Sequence, residues 1–200
     1  MYNIRYGLNY LRHRFGANNR HGIHSPFVYK LIDTVIYDYH DQKVYREIEN
    51  TLQKQHPDKR MIKTMPLKVY KLLYRFAVYF KPEQVLIADD KDYIMEFVIR
   101  QAALKSQSIA LTGLPDVGRA DMILTDALNQ DPASYLEKLI PAIHEDTVVM
   151  FTNIHHTQNT KYAWARVKAD NRVRVTIDLF YIGLVFFKPG MSKEDFRVKY

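Results

Sequence analysis

From residue 84 onward the chain alternates short apolar runs with helical segments, and that rhythm limits the fold more than any other feature. "QVLIAD" (84–89), "SIALTG" (108–113), "ADMILTD" (120–126) and "TVVMFTN" (147–153) read as strands. Between and after them, "KDYIMEFVIRQAAL", "PASYLEKLIPAI" and "NTKYAWARVKAD" read as helices. Apolar runs joined through helices imply a mostly parallel sheet covered on both faces. Two further strands, "VRVTIDLF" and "GLVFFK", follow each other directly and imply an antiparallel hairpin at one edge. In sheets of this kind a ligand site lies beyond the carboxyl ends of the strands. The residues on which function should be argued are therefore 88–92, Thr112 with Gly113, Asp126, and 152–156.

The first 81 residues have a different character. They read as four helices: "NIRYGLNYLRHRF", "SPFVYKLIDTVIYDY", "DQKVYREIENTLQKQ" and "PLKVYKLLYRFAVYF". Ser25 is placed as the N-cap of the second, with Pro26 at its first helical position. This half carries 15 Lys/Arg against 6 Asp/Glu, whereas residues 82–200 carry 14 against 16. The expected division is a basic helical region over 1–81 and a sheet domain over 82–200. A basic region of this kind can face an anionic partner or nucleic acid. Tyrosines interleaved with arginines and lysines would suit single strands by stacking plus phosphate contact. At helical spacing the same tyrosines also serve to pack a core.

Composition removes several classes. With no cysteine there is no disulfide, thiolate nucleophile or cysteine-ligated zinc, and a reducing cytoplasm is the expected compartment. "MYNIRYGLNYLRHRF" has no apolar core of the kind a signal peptide needs. The most apolar stretch, "IDLFYIGLVFF", is too short to cross a bilayer and contains Asp178, so no membrane role is expected. No P-loop, G-x-S-x-G or metalloprotease motif occurs, which leaves hydrolase and NTPase readings without support.

Three segments carry a resemblance. "RHGIHSPFVY" (20–29) resembles an N-terminal signature of methyltransferase-like proteins from Bacteroidetes. "NTKYAWARV" resembles the helix after the fourth strand of that group, and "VRVTIDLFYIGLVFFK" its closing hairpin. The group belongs to the class I S-adenosylmethionine-dependent methyltransferases. The resemblance implies an α/β, Rossmann-like methyltransferase sheet, mostly parallel with a C-terminal antiparallel hairpin. It also implies S-adenosylmethionine as cofactor and methyl transfer as activity, with Asp126 and His155 as base or substrate contacts.

The cofactor positions depart from that pattern. "VLIADDKDYI" has Ile87 where the family carries an acid, and Asp89 and Asp92 where it carries glycines. Glycine matters there because the backbone must turn tightly and approach the cofactor without a Cβ in the way. Thr112 stands where an acid holds the ribose, and Thr152 and Asn153 where paired acids end the next strand. Only about eight residues part "SIALTG" from "ADMILTD", too few for the usual helix and strand, so one βα unit is missing. Asp89, Asp90 and Thr112 are thus expected to line a vestigial cleft, and the chain to be a non-catalytic binding or scaffold protein. An active methyltransferase with a reduced cleft is the alternative.

The aspartates also fit a receiver-like phosphoacceptor. Asp89 and Asp90 would bind Mg²⁺, Asp126 accept phosphate, Thr152 act as switch hydroxyl and Lys188 contact the phosphate. Arg20, His21 and His24 suit a loop that contacts a substrate or anion. Gly22 and Pro26 deny the two histidines the helix a metal pair would need, and His155 and His156 would point apart in an extended strand, so no metal site is expected.

Overall fold

The computed structural model describes residues 4–18, 22–55, 65–88, 93–102, 107–111, 118–129 and 131–200. Four helices come first: α1 (Ile4–Gly16), α2 (Pro26–Leu31), α3 (Val44–Gln55) and α4 (Leu67–Phe80). The sheet region follows as β1 (Gln84–Ala88), α5 (Ile94–Ala102), β2 (Gln107–Leu111), β3 (Met122–Asp126), α6 (Pro132–Leu139), β4 (Val148–Thr152), α7 (Gln158–Ala169), β5 (Val175–Asp178), β6 (Ile182–Phe186) and β7 (Glu194–Arg197). One seven-stranded sheet runs in the order β2-β1-β3-β4-β6-β5-β7. β2, β1, β3 and β4 are mutually parallel, and β6 runs antiparallel between β4 and β5. This is the α/β sheet with a closing hairpin that the alternation implied. Ten residues, 112–121, join β2 to β3, and among the described residues no strand flanks β2 on its outer side.

Helix boundaries follow local chemistry. Ser25 Oγ accepts from the Val28 amide at 3.4 Å with Pro26 in the first turn, as its position in the sequence implies. The segment read as one helix over 25–39 instead widens into a π-helix over Ile32–Ile36, closed by Tyr37 N–H donating to the Ile32 carbonyl. Three of those five residues are β-branched aliphatics and a fourth is Thr34, all poor at regular α packing. The widened turn leaves the Val35 and Ile36 carbonyls for the guanidinium of Arg75 on α4. α6 stops at Leu139 and tightens into a 3₁₀ turn over Ile140–Ala142, because Pro141 lacks the N–H an α-helix requires.

The two faces of the sheet have separate cores. On one, residues of α2, α3, α4 and α5 meet Val85, Ile87, Met122, Leu124, Met150 and Ile177 in a single cluster. The N-terminal helices and the sheet therefore share one apolar interior. Tyr45 and Tyr70 lie buried within it, so part of the tyrosine periodicity is core packing. On the other face α6 and α7 cover Leu86, Ile123, Val149, Phe151 and Val185.

β7 was not legible in the sequence. Its four residues, Glu194, Asp195, Phe196 and Arg197, are mostly exposed and carry no apolar run. They pair in parallel with β5 after a turn in which Gly190 takes φ +85°. The next residue, Val198, is fully buried and bridges back to Asn18, two residues beyond α1.

Gly183 on β6 is set by packing rather than by a turn. A Cβ there would lie 2.5 Å from Cη2 and 2.7 Å from Cζ3 of Trp164, whose indole from α7 rests on the strand. Gly183→Ala should therefore cost about 1–3 kcal/mol through overpacking. Urea unfolding followed by Trp164 fluorescence measures it, and an unchanged midpoint would contradict this packing.

Candidate functional site

The parallel strands β1, β3, β4 and β5 deliver their last residues, Ala88, Asp126, Thr152 and Asp178, to one edge of the sheet. At the end of β3, Asp126 Oδ1 accepts from the Leu128 amide and from Asn153 Nδ2, both at 2.9 Å. Asn153 sits in the left-handed region at φ +59°, a conformation asparagine tolerates better than most residues. Its own amide donates to the Tyr181 carbonyl at 2.7 Å. Thr152 is buried beside it, and its hydroxyl reaches the Thr125 carbonyl at 3.5 Å. Asp126 therefore acts as an acceptor that closes the turn after β3 and fastens it to the turn after β4.

His155 turns the other way. Its Nε2 donates to Asp178 Oδ2 at 2.7 Å. From α1, His13 Nε2 donates to Asp178 Oδ1 at 2.9 Å, and the Phe180 amide donates to the same oxygen at 2.9 Å. Asp178 and His13 are only 5% and 6% exposed. Burial by itself would raise the Asp178 carboxyl. The hydrogen bonds from His13 and then His155, with the charge of both rings, outweigh it and hold the group far below the ordinary carboxylate range. Phe180 seals this cluster. Its ring stacks on His155 at 5.2 Å and 9°, and Tyr6, Tyr10 and His13 meet it at 5.0–5.5 Å.

His13, His155 and Asp178 are also the described set whose ligand atoms converge, all within 4.8 Å of one another. Two imidazoles and one carboxylate could hold a divalent ion after a modest spread. As arranged, each of the three ligand atoms is spent on the others, and the set works as a latch between α1 and the sheet edge. Sequence reasoning missed both His13 and Asp178. The available signal was an isolated acid inside the apolar run "VTIDLF".

Of the other expected positions, Arg20, His21, Asp89, Asp90 and Thr112 lie outside the described residues. His24 is exposed ahead of α2. Asp126 and His155 engage different partners. The receiver-like assignment is overturned by Lys188. Because β6 runs antiparallel, Lys188 follows it at the amino edge of β4, where it pairs with Asp146 at 2.8 Å, at the opposite edge from Asp126 and Thr152. A receiver needs that lysine beside its phosphoacceptor.

The sheet order and the closing hairpin match Rossmann-like methyltransferase folds. Solved structures agree. A methyltransferase from Geobacter sulfurreducens superposes with a TM-score of 0.56 at 11% identity, over 82% of this chain and 98% of that one. The O-methyltransferase TomG from Streptomyces achromogenes, involved in tomaymycin synthesis and solved with S-adenosylmethionine, gives 0.54 at 12% identity over 78% and 95%. A methyltransferase from Podospora anserina bound to S-adenosylhomocysteine gives 0.52 at 12% identity over 83% and 97%. At such identities the likeness is one of fold. No family model matches the chain, and no curated protein does. Among the described residues no helix is long and apolar enough to cross a membrane.

The latch makes a sign-definite prediction. A carboxyl held below its unfolded value stabilises the fold above the unfolded pKa of about 4, and that contribution is lost as pH falls below it. Asp178→Asn should cost about 3–5 kcal/mol at neutral pH, because it removes the buried charge both imidazoles pair with and leaves one acceptor oxygen where there were two. It should also flatten the acid limb of a stability–pH curve measured by urea unfolding between about pH 3 and 7. An acid limb identical to that of the natural chain would show that Asp178 does not carry it.

Proposed function

We propose that this chain is a shortened relative of the S-adenosylmethionine-dependent methyltransferases that no longer uses the cofactor and acts as a non-catalytic binding or scaffold protein. The terminal motifs "RHGIHSPFVY" and "VRVTIDLFYIGLVFFK" support placing it with the Bacteroidetes group they resemble, and the lack of cysteine suits a cytoplasmic setting. The observation that carries the reading is the engagement of Asp126. One oxygen of this family-matching acid, Oδ1, is taken by the Leu128 amide and Asn153 as an internal tie. Two further features support it. Ile87, in the position of the family's strand acid, is buried in the core, and His155 is locked onto Asp178. Methyl transfer is an in-line displacement in which the protein chiefly positions cofactor and acceptor. The described ends of β3, β4 and β5, whose groups face one another, have little left with which to position either.

Calorimetric titration with S-adenosylhomocysteine tests this directly. The expected result is no saturable heat up to about 1 mM ligand, a limit set by the affinity range of small-molecule sites. Binding in the micromolar range by the natural chain would overturn the proposal and restore the active, reduced-cleft alternative. Restoring glycines with Asp89→Gly and Asp92→Gly together is the comparison that shows whether the turn alone blocks the ligand.

A further inference from the structure

α4 carries Lys68, Lys71 and Arg75 at the i, i+3 and i+7 positions of one helical face. Like charges so placed repel one another and weaken a helix unless something neutralises them. Among the described residues none of the three takes part in an ion pair with a side-chain carboxylate. They line one pocket of about 270 Å³ with Tyr39, Asp41, Tyr45 and Tyr200.

Arg75 is only 6% exposed. Its guanidinium donates to the carbonyls of Val35 at 2.8 Å and Ile36 at 3.4 Å, and to the hydroxyls of Tyr45 and Tyr200 at 3.4 and 3.3 Å. Four of its five N–H groups are thus used, and none meets a full negative charge. Tyr200 does not supply one. Burial raises its hydroxyl above the ordinary tyrosine value despite the lowering effect of Arg75, so it stays neutral at physiological pH. Among the described residues Lys71 has no hydrogen-bond partner, and its Nζ rests 4.8 Å from the centre of the Tyr45 ring. Lys68 Nζ gives one hydrogen bond, to the Tyr200 main-chain oxygen at 3.0 Å, and lies 4.8 Å from the centre of the Tyr200 ring. Both ammonium groups are held by aromatic rings with donors to spare. Asp38, whose carboxyl is lowered first by its hydrogen bonds with His40 and slightly by the charge of Arg75, is committed to His40 at 2.6 Å.

We propose that Lys68, Lys71 and Arg75, with the rings of Tyr39, Tyr45 and Tyr200, form a binding site for a small organic phosphate. Charge selects the ligand. Three cations stand against Asp41 and the main-chain carboxylate of Tyr200, the last residue, so the lining stays positive. The three oxygens of a phosphomonoester of about −1.5 to −2 at pH 7 meet more of the spare lysine donors than the two of a carboxylate. Size selects it as well. The volume falls just below the roughly 300–1,000 Å³ usual for small-molecule sites, so the ligand is compact, with its organic part against the tyrosine rings. No strand end of β1, β2 or β3 contributes, and the site is independent of whether the methyltransferase cleft binds its cofactor.

The test is calorimetric titration of the full chain with phenyl phosphate at fixed ionic strength, beside Lys71→Ala and Lys30→Ala. Lys71→Ala removes no hydrogen bond from the fold, and Lys30 is an exposed lysine of the same basic half, outside the pocket. Saturable binding is expected, weakened about tenfold by Lys71→Ala, the scale of one lost charge-assisted contact, and unchanged by Lys30→Ala. Phenyl phosphate should also raise the melting temperature of the natural chain. No binding at about 10 mM, or an equal loss in both variants, would overturn the site. Tighter binding of benzoate than of phenyl phosphate would overturn the assignment to phosphate.

Discussion

The carboxylate of Asp178 is the constraint from which the rest of the carboxyl edge follows. A charge buried to this degree is tolerable only when its lone pairs are occupied. The donors come from far along the chain: His13 from α1, His155 from the turn after β4, and the Phe180 amide from its own hairpin. Satisfying one acid therefore fixes the first helix against the last hairpin. Phe180 then accepts the left-handed φ of +71° and closes an aromatic cover over the cluster. Where this fold usually leaves a cleft, the described strand ends of β3, β4 and β5 hold one another.

The same economy shapes the N-terminal half. Its helices do not stand apart, because their apolar faces join the core of the sheet. The excess positive charge that makes this half distinctive is concentrated in part on one face of α4. Arg75 answers the carbonyls that the π-helix leaves free, and Lys68 and Lys71 face a pocket in which Asp41 is the one acidic side chain among the described residues. A buried cation held mainly by backbone and tyrosine dipoles is a costly arrangement, and a bound anion would relieve it.

Much of the architecture was legible because it depends on local chemistry. The βα alternation, the closing hairpin, the Ser25 cap and the missing unit between β2 and β3 all follow from runs, turns and lengths. β7 was not legible, since an exposed strand of charged residues leaves no pattern and exists only because β5 offers it an edge. The widening of α2 into a π-helix was equally hidden: a β-branched run weakens an α-helix, but the partner that takes the freed carbonyls, Arg75, lies nearly forty residues later. Of the candidate site, Asp126 and His155 were visible as polar residues at strand ends. Their actual partners, Asn153 and Asp178, required the coordinates.

The sequence by itself determined the layer order and the direction of the parallel strands, because period and length are properties of neighbouring residues. Only the tertiary structure decided which polar groups meet. It brought His13 to Asp178 across 165 positions and gathered Lys68, Lys71 and Arg75 with Tyr200 at the far end of the chain. The reason is physical: hydrogen bonds and charge pairs act over a few ångströms of space, and nothing in the linear order of residues records that distance.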